Sequence, residues 1–104
     1  MRAATRLQAI GDDWASRSSE LGEALTYNRK LWTALVAAAT NPDHPLPEAI
    51  RQNIANLGLF IFNHTLGVLI EPAPEKLGVL VSINREVAGG LRAMSAPAPV
   101  PAAA

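Results

Sequence analysis

Leu57-Gly58-Leu59-Phe60-Ile61-Phe62-Asn63-His64-Thr65-Leu66-Gly67-Val68-Leu69-Ile70 is the most apolar run of the chain, and its reading decides the fold. His64 interrupts it, Asn53 and Asn56 precede it and Pro72 follows it. The run is too short for a transmembrane helix and fits the buried, central helix of a helical domain. Upstream, Ile50, Ile54, Leu57 and Ile61 recur at helical spacing, which extends this helix back to about Pro47. Pro47 suits the first helical position, and Glu48 suits the positive end of the helix dipole.

Before this helix lies Asn41-Pro42-Asp43-His44-Pro45-Leu46-Pro47, a rigid connector, because each proline holds the preceding residue in extended conformations. Ahead of the connector, Leu21, Leu25, Asn28, Trp32, Leu35 and Ala39 form a helical stripe over 19–40. Ser16, Ser18 and Ser19 offer capping hydroxyls, and Glu20 and Glu23 favour the helix start. Leu7, Ile10 and Trp14 predict a first helix over 2–15, although Gly11 and Asp12-Asp13 lower its propensity. After the break Glu71-Pro72-Ala73-Pro74, a fourth helix over 74–93 carries Leu77, Leu80, Val81, Asn84, Val87 and Leu91. Short loops between long helices make sequential neighbours antiparallel. The expected fold is all-α: a small antiparallel bundle of about four helices within residues 1–94, followed by a flexible, disordered Pro/Ala-rich tail at 95–104.

A chain of 104 residues suits one domain. With 49% hydrophobic and 17% charged residues, most helical faces should be occupied by packing against each other or a partner. Nine basic and nine acidic side chains cancel, which counts against a nucleic-acid binder, since neutralising phosphates needs a clustered basic excess. The absence of cysteine excludes disulfides, thiolate metal sites and a cysteine nucleophile. It also fits a reducing cytoplasm.

Two Asn-Arg pairs, Asn28-Arg29 and Asn84-Arg85, interrupt apolar helical sequence. Counted back from the loops, both asparagines fall in the middle layer of the bundle, Asn28 near Gly58 and Asn84 near Phe60 or Ile61. Buried amides need partners, so one reading is a structural polar layer in which Asn28 and Asn84 tie helices together. The other has Arg29 and Arg85 pointing out to meet a partner's carboxylates or helix C-terminus. The two readings are compatible. Trp14, Trp32, Phe60 and Phe62 read either as core or as interface, and helix three has more apolar circumference than two neighbours cover. A groove for a partner's amphipathic helix would use that excess. His44 and His64 lack companions at metal-ligand spacing, so no metal site is expected. Asp12-Asp13 and Glu20 with Glu23 sit at helix ends, where the dipole accounts for them. No phosphate loop, nucleophile elbow or zinc-protease motif is present, and no catalytic residue or cofactor is expected; the chain does not read as an enzyme.

Taken together, Ala24-Leu25-Thr26-Tyr27-Asn28-Arg29-Lys30-Leu31-Trp32, then Asn41-Pro42-Asp43 with Leu46-Pro47, then Ile83-Asn84-Arg85 ahead of Gly90-Leu91 resemble the FlaF family of flagellar biosynthesis regulators of alphaproteobacteria. The resemblance runs from roughly Ala3 to Leu91. The family's motif residues fall on Asn28, Arg29, Leu31, Trp32, Leu46, Pro47, Asn84 and Arg85. The segment before the first helix is shorter than is usual in the family, and the Pro/Ala tail is not part of its pattern. The resemblance implies a cytoplasmic protein that promotes flagellin synthesis, acts with the regulator FlbT and binds flagellin as a secretion chaperone. Arg29, Trp32, Phe60 and Arg85 are then the expected flagellin contacts, and no membrane association is expected. The alternative is a post-transcriptional regulator acting on flagellin messenger RNA, directly or as an adaptor with FlbT; the neutral charge makes direct RNA binding the weaker reading.

Overall fold

The computed structural model describes residues 2–43 and 45–95, with side chains through Leu91, and these residues hold helices and no strand. The four long helices are α1 (Arg2–Asp12), α2 (Leu21–Thr40), α3 (Glu48–Ile70) and α4 (Leu77–Ser95). One helical turn at Trp14–Arg17 and a 3-10 turn at Ser18–Glu20 join α1 to α2, and a second 3-10 turn, Pro74–Lys76, leads into α4. His44 and the tail residues 96–104 lie outside the described residues, as do the expectations placed on them.

The boundaries differ from the sequence expectations in physically instructive ways. The first helix stops at Asp12 rather than near Ala15, because Asp13 leaves the helical region at φ −130°, ψ 52°. The Asp13 carbonyl then accepts from the backbone N–H groups of Ser16 and Arg17 and starts a new turn. The serines do not cap α2, which has no side-chain cap. Its approach is held by Arg17, whose guanidinium donates to both carboxylate oxygens of Glu20 at 2.9 and 3.1 Å. Pro47 is the N-cap of α3 and not its first residue: its ψ of 145° is extended, while its carbonyl accepts the first helical bonds from Ile50 and Arg51. Pro74 likewise opens a 3-10 turn, and α4 proper begins at Leu77.

Sequential long helices run antiparallel. Gly58 of α3 faces Val36 and Trp32 of α2, and Glu48 and Arg51 lie beside Ala39 and Thr40 at the helices' other end. Gly58 is therefore about two turns away from the level of Asn28, where equal counting from the loop had placed it. The proline connector carries the chain past the end of α2 before α3 begins. A Cβ at position 58 would overlap Val36 Cγ2, so the close approach of α2 and α3 depends on this glycine.

α1 packs against α4 and α2, and Leu7, Ile10, Leu25, Trp32, Ile61 and Leu80 form the centre of the core. The molecule measures 53 × 33 × 17 Å, too thin for any helix to be enclosed on all sides. α3 is accordingly not the central helix expected from its composition. Ile54, Gly58, Ile61, Thr65 and Val68 are buried, while Leu59, Leu66 and Ile70 stay exposed, because α3 carries apolar residues on two faces and only one is covered. By length and composition alone the whole 23-residue helix is in the range of membrane-spanning helices, so the expectation of a run too short to span holds only for Leu57 to Ile70.

Candidate protein-binding surface

A buried polar relay fixes α2 against α4. The Trp32 indole N–H donates to Asn84 Oδ1 at 2.7 Å, and Asn84 Nδ2 donates to Asn28 Oδ1 at 2.7 Å. All three side chains are fully enclosed. An indole only donates, so Asn84 must turn its oxygen toward Trp32 and its amide nitrogen toward Asn28, which orients both amides. The relay leaves Asn28 Nδ2 without a partner among the described residues. Trp32, expected to touch flagellin, is inaccessible: its ring is core and its one polar atom is committed to Asn84.

Beside this relay the two C-terminal helices part. At one end α3 is tied to the 3-10 turn that leads into α4: His64 Nε2–H donates to the Lys76 carbonyl at 2.7 Å, and Lys76 Nζ donates to the Glu71 carbonyl at 2.6 Å. Toward the other end the two helices leave an open cleft of about 260 Å³. Ile50, Leu57, Ile83, Val87 and Leu91 supply its apolar walls, with Asn53 and Glu86 as its polar groups and Gly90 opening one side. Helical spacing puts Phe60 on the flank of α3 that carries Asn53 and Leu57, one turn beyond the cleft. Phe60 is 44% exposed and stacks on His64 with ring centroids 5.5 Å apart.

The remaining expected contacts lie elsewhere. Arg29 and Arg85 are exposed, and neither guanidinium forms an ion pair among the described residues. Neither lines the cleft. At 100° per residue, Arg85 lies on the side of α4 that faces α1, roughly opposite Ile83 and Gly90, while Arg29 lies on the side of α2 that carries Val36 toward α3. The structure thus places the two arginines on different helices and away from the cleft. The cleft's own charged group is acidic Glu86. Ile83 and Gly90 were quoted in sequence only for the family resemblance, and none of Ile83, Glu86 and Gly90 was expected at a binding site; the signal for Ile83 was its spacing to Val87 and Leu91, a second apolar stripe beside the Leu80-Asn84 stripe of α4.

No group of three or more metal-ligating side chains comes together among the described residues. In the turn before α2, the hydrogen bond and charge of Arg17 lower the Glu20 carboxyl below its ordinary value, and Glu20 raises Arg17. The pair closes a turn and lies away from the cleft.

No curated protein and no solved structure matches the chain. The model of the family described as flagellar protein FlaF matches residues 1–91, which include the relay and every wall of the cleft. This is a flagellar regulatory family and not a known family of enzymes. The chain belongs to the FlaF family of flagellar proteins.

Proposed function

We propose that the chain is a cytoplasmic regulator of flagellum assembly that binds unassembled flagellin as a chaperone and so promotes flagellin production, acting alongside FlbT. The observation that carries this reading is the open apolar cleft between α3 and α4 in a member of a flagellar family. A helix of unassembled flagellin laid along the α3–α4 seam inserts apolar side chains between Leu57 and Val87 and covers Phe60. Chaperoning is then the burial of surface that would otherwise self-associate. Arg29 and Arg85, exposed on the flanks, are available for carboxylates of a large partner.

A direct action on messenger RNA draws less support, because the charge is balanced and no basic cluster borders the cleft among the described residues. Gel filtration of the purified chain with soluble flagellin tests the proposal. A complex of defined stoichiometry at micromolar concentration is expected, weakened about tenfold by Phe60→Ala, the loss of one well-placed aromatic contact. Separate elution of the two proteins refutes it.

A further inference from the structure

The outer face of α3 carries a pattern independent of the cleft. Gln52, Asn56, Leu59, Asn63, Leu66 and Ile70 recur at alternating steps of four and three residues, and all six are exposed. Leu59, Leu66 and Ile70 are 63%, 58% and 83% exposed, although each is a large aliphatic side chain. The buried residues Ile54, Ile61 and Val68 lie on the opposite side of the helix, so α3 presents two apolar stripes, one to the core and one to solvent. A four-three repeat is the spacing that keeps a seam facing a single partner helix over several turns. With Asn56, Asn63 and Ile70 at the first position of each heptad, Leu59 and Leu66 take the fourth.

We infer that this face pairs α3, in parallel and in register, with α3 of a second copy of the chain. The seam is complementary to itself. Between Gln52 and Ile70 there is no Asp, Glu, Lys or Arg, so self-pairing sets no like charges against each other. Leucine at the fourth position favours two strands, and asparagine at the first selects a partner with an amide at the same level. Parallel pairing sets Asn56 and Asn63 against their own copies and leucine against leucine. Antiparallel pairing sets asparagine against leucine and leaves the amides unsatisfied. The same amides count against burial in hydrocarbon. Leu69, also exposed, widens the contact on the flank away from the cleft.

The chain has no cysteine, so one introduced at Ile70 reports the geometry directly. In the full chain, mild oxidation of Ile70→Cys at micromolar concentration should give a disulfide-linked dimer, while Ser82→Cys, exposed on α4, should not. Sedimentation equilibrium of the wild-type chain should give twice the mass of one chain. Leu59→Glu with Leu66→Glu should restore the mass of one chain with unchanged helical circular dichroism. A wild-type chain that sediments as a monomer at micromolar concentration overturns the inference. So does a double glutamate variant that keeps twice the mass, and so does failure of Ile70→Cys to cross-link.

Discussion

At the scale of single residues, Asn84 carries the α2–α4 contact, because it accepts from Trp32 and donates to Asn28 inside a dry core. Asn84→Leu removes both bonds and strands a buried indole N–H and a buried amide oxygen, which should cost about 2–5 kcal/mol in chemical denaturation. Asn28→Leu also removes the donor that has no partner, and should cost less, about 1–2 kcal/mol. Equal losses from the two substitutions would contradict the directional relay. The sequence made the pairing of two buried amides legible, since both interrupt apolar stripes at similar depth. It did not reveal that Trp32 is the third member, because an indole at a core-facing position fits burial and contact equally well until its N–H is given an acceptor.

At the scale of elements, Gly58 sets the distance between α2 and α3. Gly58→Ala should lower stability by about 1–3 kcal/mol, despite alanine's better helix propensity, because its Cβ meets Val36. Adding Val36→Ala should recover part of the loss, which a double-mutant cycle measures; strict additivity would show that the two positions do not press on each other. The Arg17–Glu20 pair, in the turn before α2, makes a pH-dependent contribution. Glu20's carboxyl is lowered in the folded chain, so its stabilisation is complete above the unfolded carboxylate value and is lost as pH falls through the folded one. The melting temperatures of the wild-type chain and Glu20→Gln should therefore differ at neutral pH and converge in acid, and a gap that persists in acid would contradict this role. The four long helices were legible from the periodicity of residues such as Leu21, Leu25 and Trp32. Their junctions were less so. Asp13 breaks the first helix by its own backbone geometry, and the stiff connector before Pro47 displaces α3 along α2, an effect no loop-to-loop count contains.

At the scale of the whole molecule, the candidate site is a product of how helices diverge. Leu57 and Val87 were legible as apolar stripe residues, and the excess apolar circumference of α3 was legible too. Whether that excess would be covered depended on the thin arrangement in which α3 touches α2 closely and α4 mainly near Lys76. The same arrangement placed Arg85 on the far side of α4 from the cleft, which helical spacing shows only once the core face is known. Gly90 gives the most direct test of the cleft as the flagellin site, since it lines the cleft and a Cβ added there meets nothing within 4 Å among the described residues. Gly90→Phe should fill the cleft while leaving the thermal midpoint unchanged or slightly raised, because glycine is the poorer helix former. The measurement is calorimetric titration of soluble flagellin into the wild-type and Gly90→Phe chains. Binding at least about tenfold weaker in the variant is expected, a loss of about 1.4 kcal/mol; equal affinity for the two chains would contradict the cleft as the flagellin site.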